Sequence, residues 1–150
     1  MPPCTSLVMD EKPKKRKYTK QEISTIRDIN DGLFAKQVKE NASMVCEKCG
    51  KERILHTHHF YSRANYSTRW DYDNGFCLCS GCHILSSTFS AHKTPAEFVE
   101  WCIEYRGQEW YDNLRQKYNT YVKRGLEFNT ENMERLKSWI PENSTHLSLE

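Results

Sequence analysis

The stretch that decides the fold begins at Cys46-Glu47-Lys48-Cys49-Gly50 and ends at Asn74-Gly75-Phe76-Cys77-Leu78-Cys79-Ser80-Gly81-Cys82-His83. A Cys-x-x-Cys pair stands at each end of it. Two thiolates three positions apart can fold onto one face of a tetrahedral ion, and four of them complete a closed structural zinc site. Cys46, Cys49, Cys79 and Cys82 are therefore the expected zinc ligands. Gly50, directly after the second thiolate, suits a knuckle turn that needs positive φ. Cys77 could compete as a ligand, but Cys79-x-x-Cys82 has the knuckle spacing, so Cys77 reads as a buried strand residue.

Between the pairs, Arg53-Ile54-Leu55-His56-Thr57-His58-His59 alternates like a strand and ends in two imidazoles. Phe76 to Leu78 is a short apolar run fit for the return strand, and Ser80 or Gly81 can open a short helix carrying His83. Asn74 lies 15 positions after His59 and 9 before His83. A hairpin followed by a helix brings imidazoles from the strand end opposite one from the helix, and a metal can sit between them. The plainer alternative makes these imidazoles further zinc ligands or surface polar groups.

Taken together, His58-His59, Asn74 and His83, framed by the two cysteine pairs, resemble the HNH endonucleases, also called ββα-metal nucleases, over roughly residues 44–93. The longer string His58-His59-Phe60-Tyr61-Ser62-Arg63, with Thr68-Arg69-Trp70 and Asn74, also looks like the lambda-type phage recombination endonucleases. The resemblance implies that His58 and His83 hold one catalytic divalent ion (Mg²⁺, Mn²⁺, Ni²⁺ or Zn²⁺) and that His59 is the general base. It further implies that Asn74 either ligates that ion or fixes the loop that aims His59. Adjacent strand residues point to opposite faces, so His58 and His59 can serve different partners. Some family members carry another metal imidazole one helical turn after the last His. Here that place is Ser87, which leaves His92 as a candidate third ligand.

At 150 residues the chain suits one domain, with or without a tail. Hydrophobic content of 37%, 12% aromatic, argues against disorder throughout. No apolar run approaches the ~20 residues of a membrane span, the start lacks a secretory apolar core, and seven cysteines without a disulfide pattern fit a reducing compartment. We expect an intracellular protein: host cytoplasm for a phage product, the nucleus for a eukaryotic host. The net charge is only +2, but residues 1–20 carry six positive and two negative charges while residues 94–150 carry seven and ten. The basic end and the middle are expected to face nucleic acid, and the acidic end is not.

The expected fold class is α+β: a ββα-metal core at 44–93 stapled by a four-cysteine zinc site, with helices on both sides. Residues 1–18 form a basic arm in which Lys14, Lys15, Arg16 and Lys17 would bind phosphates without reading sequence. Residues 19–43 read as a helical segment, with Thr19 or Ser24 as cap and a break at Asp31-Gly32. Thr94-Pro95-Ala96-Glu97 opens a helical region at 94–140, interrupted at Gly107 and Gly125, with Thr130 capping its last helix; 141–150 is a tail. Arg63 and Arg69 are the best phosphate clamps outside the arm, with salt bridges to Asp71 or Asp73 as their structural alternative. The function expected is hydrolysis of phosphodiester bonds in duplex or branched DNA, of a phage or mobile-element recombination or homing type. An exposed part of the aromatic stripes could serve a homodimer. The rival is a non-catalytic zinc module that binds DNA or protein.

Overall fold

The computed structural model describes residues 18–139, so the basic arm with Lys14, Lys15, Arg16 and Lys17, and the tail at 141–150, lie outside the described residues. Helix α1 (Lys20–Asn41) leads into the first cysteine knuckle and then strand β1 (Leu55–His59). A 3-10 turn (Tyr72–Asn74) precedes strand β2 (Gly75–Cys79), which runs into a single wide turn of π-helix (Gly81–Leu85). Helices α2 (Pro95–Arg106), α3 (Gln108–Tyr118) and α4 (Leu126–Ser138) complete the chain. Helices surround one two-stranded sheet, an α+β arrangement.

The strands pair antiparallel with Leu55 opposite Cys79 and His59 opposite Gly75. Their two faces bury different clusters. Phe76 and Leu78 pack with Phe98 and Cys102 of α2. Cys77 packs instead with Phe34 and Val38 of α1, Trp70 and Leu136 of α4. Cys77 is thus a fully buried core residue, as expected. An isolated two-stranded hairpin is marginal in water, and this one is covered on both faces.

The outer edge of β2 is closed as well. Glu47 of the knuckle donates its backbone N–H to the Cys77 carbonyl (2.9 Å) and accepts the Cys77 N–H on its carboxylate (2.6 Å). Arg106 of α2 donates to that same carboxylate (2.9 Å) and to the Gly75 carbonyl (2.7 Å), with its guanidinium 3.8 Å from the centre of the Phe76 ring. These bonds join knuckle, strand and α2, and they leave little free ladder for another chain to extend.

Two helix expectations are corrected. Thr19 does cap α1, in a capping box with Glu22, but the helix runs unbroken through Asp31-Gly32. A mid-helix glycine costs ~1 kcal/mol. Here Asp31 is bound by Arg69 and Trp70, and Phe34 and Val38 are buried, so tertiary contacts outweigh that cost. The last helix starts at Leu126, after Gly125, which leaves Thr130 inside it rather than at its cap. Burial of Asn129 and Leu136 and the stack of Phe128 on Trp70 extend it to that point. At α2, Pro95 takes the first position as expected, while the Thr94 hydroxyl binds both backbone groups of Ser90 instead of capping.

Candidate metal centres

The first centre is built by the knuckles. After Cys49 the chain turns through Gly50 at φ +71°, and the Gly50 N–H donates to the Cys46 carbonyl (2.8 Å). Cys79 ends β2, Cys82 lies in the turn after it, and the Cys82 N–H reaches the Cys79 sulfur at 3.5 Å. The sulfurs of Cys46, Cys49, Cys79 and Cys82 all lie within 4.8 Å of one another, Cys49 and Cys79 at 3.6 Å. Tetrahedral zinc with its usual bond length spaces its sulfurs by ~3.8 Å, so the four thiols fit that ion. Burial alone would raise the Cys79 thiol, but the Cys82 N–H and the thiols of Cys49, Cys82 and Cys46 bring it down to about 7. Burial moves the Cys49 and Cys82 thiols up instead, so Cys79 offers the thiolate a metal needs more readily than either.

The second centre holds three imidazoles. His58 comes from β1 and His83 from the turn after β2. His92 arrives because the chain doubles back: the Ala91 N–H donates to the Cys82 carbonyl (2.9 Å) and the His92 N–H to the His83 carbonyl (3.2 Å). One ring nitrogen from each of His58, His83 and His92 lies within 4.8 Å of the others, and Nε2 of His83 and His92 are 3.2 Å apart. A tetrahedral ion spaces its nitrogen ligands by ~3.3 Å, and three protein ligands leave the fourth position open. Burial, then the neighbouring histidines, pushes His58 down to about 3 and His83 to about 4. Both rings are therefore neutral at neutral pH and carry the lone pair that a ligand must offer. His56 stacks on His83, with ring centres 5.1 Å apart, but its Nε2 lies 3.2 Å from the Ser80 hydroxyl, outside the trio.

His59 turns the other way. Its ring packs on Phe34 of α1 at 4.9 Å, and its Nε2 lies 3.0 Å from the Arg69 carbonyl. A carbonyl only accepts, so Nε2 carries the proton and Nδ1 keeps the free lone pair. Burial lowers the His59 pKa against the raising effects of the Arg69 carbonyl and Asp31. His58, His59 and His92 all line one groove of about 510 Å³, closed further along by Tyr61, Pro95, Phe98, Val99 and Tyr111.

Asn74 is fully buried. Its side-chain oxygen accepts from the Tyr61 N–H (2.7 Å), and its amide donates to the carbonyls of Tyr61 and Thr68 (both 3.0 Å). The hydrogen bonds of its side chain thus all go to the loop from Tyr61 to Thr68. Arg69 is likewise committed inside the fold. It grips Asp31 with two nitrogens (2.9 and 2.6 Å) and donates to the Arg63 carbonyl (2.7 Å), so its fork does not face solvent. The partner is Asp31 and not Asp71 or Asp73, which both bind Lys117. Arg63 is exposed and makes no ion pair among the described residues.

Asp31 is the residue that sequence reasoning missed. It shares a helix face with Phe34 and Val38 at i, i+3 and i+7, and a carboxylate on a buried stripe signals a partner elsewhere. Comparison of the chain with protein-family models, curated proteins and solved structures finds no match. Among the described residues, no helix is long and apolar enough to cross a membrane.

Proposed function

We propose that the protein is a metal-dependent endonuclease of the HNH type that hydrolyses phosphodiester bonds in DNA. The observation that carries this reading is the convergence of His58, His83 and His92, with His59 opening onto the same groove through a differently oriented ring. A purely structural zinc module needs the four cysteines and has no use for the second set.

In this reading the four thiolates fix the hairpin, and His58, His83 and His92 hold one exchangeable divalent ion. When bound, that ion supplies stabilisation of the charge that builds on the leaving oxygen. His59 accepts the proton of the attacking water at Nδ1. Its Nε2–H bond to the Arg69 carbonyl holds the ring in that tautomer and supports the imidazolium that forms. Arg69 is in turn anchored by Asp31, and Asn74 pins the loop from Tyr61 to Thr68 across the groove. The exposed Arg63, on that loop, is the cation left to meet a phosphate. By the family resemblance the products carry 5′-phosphate and 3′-hydroxyl ends.

The test is nicking of supercoiled plasmid by the purified chain and by His59→Ala, after removal of loosely held metal and with Mg²⁺, Mn²⁺ or Ni²⁺ restored. Nicking should require the added ion and fall by about 10²–10⁴-fold in the variant with its tightly held zinc retained. Equal cleavage by both proteins would remove His59 from the mechanism. No cleavage with any ion on supercoiled, branched or single-stranded DNA would leave the non-catalytic zinc module as the better reading.

A further inference from the structure

A second groove of about 500 Å³ lies beside the histidine groove, lined by Ser62, Asn65, Tyr118, Tyr121 and Arg124 among others. The two are adjacent. Ser62 lines both, and Tyr61 of the first stacks on Tyr118 of the second with ring centres 4.1 Å apart. Along α3, Tyr111, Arg115 and Tyr118 stand at i, i+4 and i+7, so one face of the helix carries an aromatic, a cation and an aromatic from one groove to the next. The connection beyond it, Tyr118–Gly125, contains Lys123 and Arg124 and no acidic residue.

Tyr61 and Tyr111 are half-buried, and the exposed rings are Tyr118 and Tyr121. Tyr121 is 87% exposed, a level at which a large aromatic ring gains nothing from the core. Arg63, Arg115, Lys123 and Arg124 are all exposed and form no ion pair among the described residues. Arg124 instead lies over the Tyr66 ring at 5.0 Å and reaches the Ala64 carbonyl at 3.5 Å, which ties the connection to the loop that Asn74 pins. Asn65 and Ser67 both donate to the Tyr118 carbonyl (3.1 and 3.2 Å), holding the end of α3 against that loop. Two carboxylates lie on α3 itself, Glu109 and Asp112, the latter accepting from the Gln108 amide (2.9 Å); Glu97, Glu100 and Glu104 are on α2 and Glu127, Glu131 and Glu134 on α4.

From this arrangement we infer that the Tyr61–Tyr118–Tyr121–Arg124 face binds a segment of single-stranded DNA leading away from the histidine site. The exposed rings of Tyr118 and Tyr121, the first backed by Tyr61, and the neighbouring cations that form no ion pair match a single strand, whose bases present free π-faces for stacking while its phosphates meet the guanidinium and ammonium groups. A duplex hides those faces within its own stack and gains only the charge contribution. The inference rests on the nuclease reading only for what happens to the strand once bound. It narrows that reading to DNA with an unpaired segment beside the scissile bond, and it assigns part of the acidic C-terminal half to nucleic acid.

The experiment is fluorescence anisotropy of a labelled oligothymidylate and of a duplex of equal length, with the full zinc-loaded chain and no added divalent ion. The single strand should bind more tightly than the duplex. Tyr121→Ala should weaken single-strand binding about tenfold and leave duplex binding unchanged. Lys123→Glu should weaken both and flatten the salt dependence. Duplex binding as tight as single-strand binding, or unchanged single-strand binding by Tyr121→Ala, would overturn the assignment. Because Tyr121 is so exposed, loss of folding does not confuse the result. Binding that depends on Tyr121 without plasmid nicking would sink the nuclease and keep this surface; nicking with no effect of Tyr121 would do the reverse.

Discussion

His83 and His92 face each other with their Nε2 atoms 3.2 Å apart, although nine positions separate them. The backbone bond from His92 N–H to the His83 carbonyl holds the two residues in register. A proton shared between the two rings, or an ion bound by both, accounts for that approach.

His92 therefore decides whether a second ion is held. Titrated with Co²⁺, the full chain should take up two equivalents, one with strong thiolate charge-transfer absorption and one without. His92→Ala should lose the second equivalent and keep the first. The reverse applies to Cys49→Ser, which should lose the structural ion and, with it, ~10–16 kcal/mol of apparent binding energy that holds the hairpin folded. Retention of two equivalents by His92→Ala would exclude it as a ligand.

How far the sequence reaches is clearest at this pair. The cysteine spacing is local, and so both knuckles, the positive-φ Gly50 and the strands between them could be read residue by residue. The place of His92 could not be derived in the same way. His83 lies in one wide turn, the helical-turn position after it is Ser87, and a chain reversal through Ser86–Ser90 brings His92 to it instead. Arg69 shows the same limit: its partner Asp31 is 38 positions away, and no local pattern pairs the two. A local rule makes Asp31-Gly32 a break, and long-range packing of the same helix overrides it.

Asn74 is expected to act by position, through the loop and not through the metal. Asn74→Ala orphans the Tyr61 N–H and the Tyr61 carbonyl, while the Thr68 carbonyl keeps the Asp71 N–H (3.1 Å); at ~1–3 kcal/mol for each orphaned group, chemical denaturation should show a loss of at least about 2 kcal/mol. The Co²⁺ stoichiometry of the folded variant should remain two. A drop to one would mean that Asn74 ligates the ion after all.

Asp31→Ala should be costly for the same reason that Arg69 is unavailable to a phosphate. Removing the carboxylate leaves a nearly buried guanidinium and the Trp70 indole N–H without their acceptor. With Asp31 itself part-exposed, a loss of about 2–3 kcal/mol is expected, below the full cost of breaking a deeply buried pair. Equilibrium denaturation measures it. A loss under about 0.5 kcal/mol, the size expected at an ordinary surface site, would mean that the Arg69 fork is free to turn outward.

Two glycines should respond to alanine with opposite sign. At Gly75 an added methyl would collide with Val38 and come within 2.9 Å of Phe34, because β2 crosses α1 there with no side chain between them. Gly75→Ala should therefore destabilise by about 1–3 kcal/mol, or force α1 away from the hairpin. The face of α1 that carries Phe34 also supports His59, so nicking should fall along with stability. Gly32 has nothing within 4 Å of an added methyl and lies inside the same helix. Gly32→Ala should stabilise by up to about 1 kcal/mol, since alanine gives up less backbone freedom on entering a helix. Thermal unfolding of the pair separates packing from propensity. If Gly32→Ala destabilised the protein, α1 would have to bend at Asp31-Gly32 in solution, and the bidentate grip of Arg69 on Asp31 would have to be made by a broken helix.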